Sequence, residues 1–228
     1  MGGPVAEKYS PGRRLVDCLL LGSYGPVIEF YFFVLLKGKI YGTENLPESG
    51  FILAANHASF LDWFIVYPVF MRKLKRRVYF LGHRKLFAHA FWGRFLKNAQ
   101  TIPVDPGKPR SVSYAYAAAV EYLRRGEIVG IFPEGTRSTD GRLQQAKDGA
   151  AALALATGVP VVPVGLSGFW AAWPKGKKLP GIAPAAISIG CPLRFSLRPG
   201  EKRKAARKNV TKTIMTEIAK LLGADYEY

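Results

Sequence analysis

The chain has 228 residues, 49% of them hydrophobic, and a formal net charge of +17. The length fits one domain of ordinary size with a substantial core. A charge that large calls for an anionic partner, either nucleic acid or a membrane rich in anionic lipid. Cys18 and Cys191 stand far apart and match no metal or disulfide spacing, which removes the argument for a disulfide-built secreted protein.

The first elements are apolar. Leu15 to Leu21 follows Arg13-Arg14 but contains Asp17, and Val27 to Leu36 contains Glu29. Each run is well short of the ~20 residues of a spanning helix. Read as one span, the pair would place two carboxylates in lipid at roughly 2.5–3.5 kcal/mol each. The reading that fits is an interfacial helical pair over residues 1–37, with Arg13, Arg14, Lys37 and Lys39 as headgroup anchors. The alternative is a pair of helices packed on the core.

From residue 38 to 228 the pattern is α/β. Phe51 to Ala55 is predicted as a buried strand, Ser59 to Phe70 as a helix, Val78 to Leu81 as a strand and Ala90 to Lys97 as a short helix. Thr101 to Val104 is a strand that Pro103 pushes to an edge or an end. Ser111 to Arg125 is a helix stopped by Gly126, and Ile128 to Phe132 is a central strand. An alanine-rich helix spans Asp148 to Thr157, strands follow at Val161–Val164 and Ala186–Ile189, and Asn209 to Leu222 closes the chain as a helix. Alternating strands and helices imply an α/β fold with a mostly parallel central sheet and helices on both faces, preceded by the N-terminal interfacial motif.

His57 directly follows the first buried strand, where sites of α/β proteins gather. Asp62 lies five positions on. With His57 in the loop and Asp62 in the first helical turn, the carboxylate can take the Nδ1 proton bond and leave Nε2 as a base. The same spacing also reads as a helix cap, with Ser59 at the N-cap and Asp62 as the acid three residues later. A second loop, Phe132-Pro133-Glu134-Gly135-Thr136-Arg137-Ser138, follows the central strand. Its glycine permits close backbone approach, and Arg137 suits forked recognition of phosphate. By itself this loop also reads as a polar turn with an ion-paired Glu134.

Taken together, Asn56-His57 with Asp62, then Phe132 to Ser138, resemble the His-x4-Asp and Phe-Pro-Glu-Gly-Thr-Arg-Ser blocks of the glycerophospholipid acyltransferases, the family of lysophosphatidic acid acyltransferase. Lys147-Asp148-Gly149-Ala150 and Val159 to Val164 resemble its later blocks. The similarity runs over about residues 10 to 195. It implies transfer of a fatty acyl chain from an acyl thioester, on coenzyme A or a carrier protein, to the sn-2 hydroxyl of lysophosphatidic acid, giving phosphatidic acid. His57 would be the general base and Asp62 its orienting acid. Glu134, Gly135, Thr136 and Arg137 would bind the acceptor. Neither a cofactor nor a metal is implied, and His83 and His89 lack neighbouring acids in a ligand pattern.

One block departs. Family members commonly carry an arginine where this chain has Pro106. Lys108 and Arg110 stand near enough in sequence to replace it, so the acceptor headgroup is left open between lysophosphatidic acid and another lysolipid, including an amino-acid-based one. Hydrolysis of the thioester and a basic nucleic-acid-binding module are the competing classes; the latter lacks any recognised binding motif. Gly165-Leu166-Ser167-Gly168 narrowly misses a nucleophile elbow because Phe169 takes the last place, so Ser167 reads as a turn residue. The runs Arg72 to Arg77, Arg84-Lys85 and Lys202 to Lys204, and Phe169 to Trp173 with Lys175, Lys177 and Lys178, read as contacts to an anionic membrane surface, with a solvated loop as the alternative for Arg72 to Arg77 and a partly packed surface loop for Phe169 to Trp173. The expected location is the cytoplasmic face of the cell membrane, peripheral or monotopic.

Overall fold

A computed structural model of the chain describes residues 24–74, 77–88, 93, 95–97 and 99–228. Seven strands form one sheet: β1 (Lys39–Tyr41), β2 (Ile52–Ala55), β3 (Val78–His83), β4 (Ile102–Val104), β5 (Ile128–Ile131), β6 (Val161–Ser167) and β7 (Ala186–Ile189). Their order is β1-β7-β6-β2-β5-β3-β4. The five strands from β6 to β4 run parallel, while β7 pairs antiparallel with β6 and carries β1 beside it.

The helices are α1 (Leu61–Leu74), α2 (Pro109–Arg124), α3 (Gly149–Thr157), α4 (Phe169–Ala172) and α5 (Arg203–Leu222). A helical segment over 24–35, ending in the π-helical turn Tyr31–Leu35, precedes β1. They cover both faces of the sheet, and β2 shows why. Leu53 and Ala55 join Phe32, Leu36, Ile65, Phe70 and Phe169 in one core, while Ile52 and Ala54 join Ala119, Leu153, Ile214 and Met215 in the other. Side chains alternate across a strand, so a run buried on both sides must be apolar throughout.

The strand over Ala186–Ile189 matches its expected bounds, and Pro103 does lie on the edge strand β4. Several expectations needed correction. The helix expected from Ser59 starts at Leu61, because Ser59 caps it, and the strand expected to end at Val164 continues to Ser167, which pairs with Ala186 rather than sitting in a turn. β1 was not anticipated. It is three residues long and depends on β7 for its pairing, Lys39 opposite Ala186.

The expected first N-terminal helix, residues 75–76 of the basic run Arg72 to Arg77, His89, and residues 90–92 and 94 of the helix expected over Ala90 to Lys97 lie outside the described residues; residues 93 and 95–97 are helical. The second apolar run is helical and splits by face. Phe32 and Leu36 are fully buried, whereas Val27, Phe30 and Val34 are exposed. No helix among the described residues is long and apolar enough to cross a membrane.

Candidate active site

β2 lies between β5 and β6, and all three run parallel. Their C-terminal ends therefore deliver three loops to one edge. The loop after β2 carries Asn56 and His57. Asn56 is buried and ties this loop to β6 in both directions: its Nδ2 donates to the Leu166 carbonyl at 3.1 Å, and its Oδ1 accepts from the Leu166 N–H at 2.7 Å.

His57 Nδ1 lies 2.8 Å from Asp62 Oδ2. The same carboxylate oxygen accepts the backbone N–H of Ala58 at 2.6 Å and of Ser59 at 2.8 Å. Ser59 Oγ accepts the Leu61 N–H at 3.0 Å. The two arrangements expected of this segment thus occur together, the Nδ1–carboxylate contact and the helix cap. Ser59 and Asp62 cap α1 reciprocally, and that cap fixes the carboxylate that grips the imidazole. Asp62 is fully buried, and its Oδ1 has no hydrogen-bond partner among the described residues. An acceptor at Nδ1 selects the tautomer that carries its proton there and leaves Nε2 as the lone-pair nitrogen. The ring stacks on Phe132, with centroids 4.1 Å apart, and its side chain stays partly open to solvent.

Glu134 joins the two loops. Its Oε1 accepts the His57 N–H at 2.6 Å and its Oε2 accepts the Gln144 N–H at 2.7 Å. The Ser138 N–H returns a bond to the His57 carbonyl at 2.7 Å. Burial pushes the Glu134 carboxyl up to about 7; the two N–H donors pull it down, and the charge of Asp62 pushes it further up. Glu134 is therefore a brace between loops, not an ion-paired turn residue.

Arg137 lies over the Phe60 ring, with its guanidinium carbon 3.9 Å from the centroid. Its Nη1 is buried and has no hydrogen-bond partner among the described residues. Burial lowers its pKa, opposed by the charge of Asp62. A partly desolvated, unsaturated guanidinium is a ready receptor for an anion. Gly135 sits at φ 67, and a Cβ there would come within 3.3 Å of Lys147 Nζ, so the glycine lets a second cation stand beside Arg137's loop. Lys147 is fixed in place by its own N–H, which donates to the Pro133 carbonyl. Thr136 is exposed on the loop. Ser138 turns inward to donate to Asp140 and accept from the Gly141 N–H, so it closes the loop rather than lining the site.

Lys108 and Arg110 come together with Arg84, Ser111 and Tyr114 around a cleft of about 320 Å³. Its lining does not include His57 or Arg137, but its residues follow β3, which lies next to β5, and β4, which lies beyond β3, so it opens at the same C-terminal edge of the sheet as the site loops. Arg84 was not singled out for this role by sequence, because it is 24 positions from Lys108 and only the β3–β4 pairing brings them together. Phe132 beneath His57 and Phe60 beneath Arg137 were equally silent, since an aromatic next to a strand reads as core. His83 accepts the Lys85 N–H at the end of β3. No cluster of metal-ligand type occurs among the described residues.

The aromatic segment after β6 also differs from expectation. Gly168, at φ 77, packs where any Cβ would collide with the Pro184 carbonyl, and it turns the chain into α4. Phe169 and Ala172 are then fully buried in the core rather than facing lipid. Trp173 is partly buried, its ring 5.5 Å from that of Phe60, and its carbonyl accepts Ser59 Oγ at 2.7 Å.

A family model described as Acyltransferase matches residues 37–167. The 1-acyl-sn-glycerol-3-phosphate acyltransferase of Bacillus subtilis is 33% identical over 74% of this chain and 81% of its own length. The chloroplastic 1-acyl-sn-glycerol-3-phosphate acyltransferase of Arabidopsis thaliana is 32% identical over 78% of this chain, and the chain spans about half (48%) of that longer relative. Among solved structures, the 1-acyl-sn-glycerophosphate (LPA) acyltransferase PlsC of Thermotoga maritima superposes with a TM-score of 0.64 at 26% identity, covering 90% of this chain and 83% of that one. With a histidine–carboxylate pair at the end of a parallel strand and this match in sequence and fold, the chain belongs to the acyltransferase family and is an O-acyltransferase.

Proposed function

We propose that the protein transfers a fatty acyl chain from an acyl thioester to the free sn-2 hydroxyl of lysophosphatidic acid, giving phosphatidic acid, at the cytoplasmic face of the cell membrane. The observation that carries the chemistry is the 2.8 Å contact between His57 Nδ1 and Asp62 Oδ2, with Nε2 left available. As the hydroxyl oxygen attacks the thioester carbonyl, Nε2 takes its proton. A C–O bond forms, the C–S bond breaks, and the imidazolium returns the proton to the leaving thiolate. Asp62 holds the ring and stabilises the imidazolium. General-base help of this kind is worth ~10²–10⁴-fold. The donor is a thioester of coenzyme A or of a carrier protein.

The acceptor phosphate is assigned to the unsaturated guanidinium of Arg137, with Glu134 and Gly135 shaping the loop and exposed Thr136 at its rim. Lys108 and Arg110, joined by Arg84, supply positive charge where the family arginine is replaced by Pro106. That replacement, and the room in the cleft, favour a second reading, in which the same transfer serves a lysolipid with a larger headgroup. The test is a panel of lysolipids differing only in headgroup, with one thioester donor and thiol release and acylated product both measured. Phosphatidic acid formed fastest from lysophosphatidic acid supports the assignment. Thiol release that does not depend on any lysolipid would make the enzyme a thioesterase.

A further inference from the structure

Between α4 and β7 the chain makes a loop, 173–185, whose ends at Trp173 and Ala185 pack on the core and whose middle exposes two large apolar side chains. Leu179 is 74% exposed and Ile182 is 72% exposed, the two most exposed large hydrophobic residues of the described chain. Lys175, Lys177 and Lys178 precede them, all exposed. Internal bonds give the loop a defined shape: Trp173 Nε1 donates to the Lys177 carbonyl, Lys177 N–H to the Pro174 carbonyl, and Gly181 N–H to the Ala172 carbonyl.

The loop is continuous with the helical segment over 24–35. Tyr31 Oη donates to the Gly181 carbonyl at 2.5 Å, between the positions of Leu179 and Ile182. The Ala185 N–H donates to the Leu36 carbonyl at 3.0 Å. Val27, Phe30, Phe33 and Val34 lie on the outward side of that segment. Two elements from distant parts of the sequence are thus tied by hydrogen bonds, and each carries unburied apolar side chains. Scattered exposed leucines need no explanation, but unburied apolar side chains on two tied elements, edged by lysines, mark an interaction site.

We propose that loop 173–185 is a membrane-insertion element, which seats Leu179 and Ile182 among the acyl chains of an anionic leaflet and sets its lysines on lipid phosphates beside the site wall. Charge complementarity selects the occupant. A second copy of a chain at +17 would bring more lysine to a lysine-rich rim, whereas an anionic lipid surface neutralises it. The root of the loop is the wall of the site. Trp173 carbonyl accepts from Ser59, whose N–H donates to the Asp62 oxygen that holds His57. A lysolipid leaving the leaflet beside Leu179 therefore meets Trp173 and Phe60 before it meets His57 and Arg137. The inference deepens the acyl-transfer reading by giving its acceptor a route, and rests on that reading for the nature of the cargo.

The test uses the full chain with Leu179→Asp and Ile182→Asp together, on exposed positions where the fold tolerates charge. Flotation with zwitterionic vesicles and with vesicles enriched in phosphatidylglycerol measures partition, and size-exclusion light scattering measures self-association. Partition onto anionic vesicles should fall by about tenfold or more, since burying a single leucine-sized side chain already corresponds to roughly that factor. Turnover of a vesicle-embedded lysolipid should fall in parallel, while turnover of a short-chain monomeric lysolipid keeps the wild-type kcat. In a second variant, Lys175→Glu, Lys177→Glu and Lys178→Glu should erase the preference for anionic over zwitterionic vesicles. Unchanged partition in both variants overturns the proposal. So does a change of oligomeric state with partition intact, or an equal loss of turnover on monomeric and embedded acceptors. If the wild type turned over no lysolipid at all, the acyl-transfer reading would fail while partition still judged the loop.

Discussion

The His57 N–H donates to Glu134 Oε1 at 2.6 Å, so the loop after β2 hangs from a carboxyl group that burial has pushed up to about 7. Both Glu134 oxygens accept backbone N–H groups, an arrangement that favours the ionised form, while the buried setting favours the neutral one. Because the folded-state value is raised above that of the unfolded chain, the stability linked to it is fully present below the ordinary carboxylate range. It is lost as pH rises through about 7. Replacing Glu134 with glutamine should remove this slope. Denaturant unfolding of wild type and Glu134→Gln at pH 5 and pH 8 should show a difference that changes by on the order of 3 kcal/mol, wild type losing more on the alkaline side. Parallel curves would mean that the carboxyl titrates in its ordinary range.

Asp62 serves the cap and the His57 imidazole with one oxygen, and two substitutions separate those duties. His57→Ala removes a partly exposed ring and leaves the cap intact, so its kcat/KM should fall ~10²–10⁴-fold with stability within about 1 kcal/mol of wild type. Asp62→Asn puts an amide where two N–H donors and an imidazole converge in a fully buried place. It should lose a similar factor in kcat/KM and in addition about 1–3 kcal/mol of stability. Steady-state kinetics with thermal unfolding of the two variants checks both. If Asp62→Asn kept near-wild-type turnover, the carboxylate would be a cap and nothing more.

Much of the fold was legible because buried strands of a parallel sheet are apolar on both faces, as Ile52 to Ala55 are. What was not legible has specific causes. Lys39–Tyr41 is an edge strand defined by its partner rather than by its composition. Phe169 has the same aromatic-and-lysine neighbourhood whether it faces lipid or core, and only the turn at Gly168 decides. His57 and Asp62 offered a cap or a catalytic pair as rivals, and nothing in five-residue spacing reveals that one carboxylate oxygen can accept three donors. The motif gave no sign that the Glu134 carboxylate accepts two backbone N–H groups and so ties the loop to its neighbours, because both donors lie on segments distant from it in the chain.

Asn56 precedes the histidine and carries a prediction about loop position. It makes two hydrogen bonds to Leu166 in a buried setting, so Asn56→Ala leaves both a buried N–H and a buried carbonyl of β6 unpaired. The cost should be about 2–4 kcal/mol. Asn56→Asp keeps an acceptor for the Leu166 N–H but loses the donor to its carbonyl, and should be no better. Urea unfolding gives the stability. A loss below about 0.5 kcal/mol in Asn56→Ala, the level of an ordinary surface change, would mean that the loop after β2 is held by Asp62 and Glu134 alone.

If the acceptor's charge is shared between Arg137 and the basic cleft, as proposed, their substitutions should differ in kind. Arg137→Ala removes a guanidinium whose Nη1 is buried and unsatisfied, close enough to Asp62 to feel its charge. Acceptor KM should rise, with kcat falling as well if the phosphate helps place the hydroxyl at Nε2. Arg137→Lys should rescue little, because an ammonium neither stacks on Phe60 as a planar guanidinium does nor offers a fork to phosphate. Arg84→Ala and Arg110→Ala, on the open cleft, should raise acceptor KM with kcat preserved, and the effect should shrink as salt is added. The measurement is acceptor saturation at low and at physiological ionic strength with a monomeric lysolipid. Unchanged KM in Arg84→Ala and Arg110→Ala, with Arg137→Ala impaired, would leave the phosphate to Arg137 and Lys147 and remove the cleft from acceptor binding.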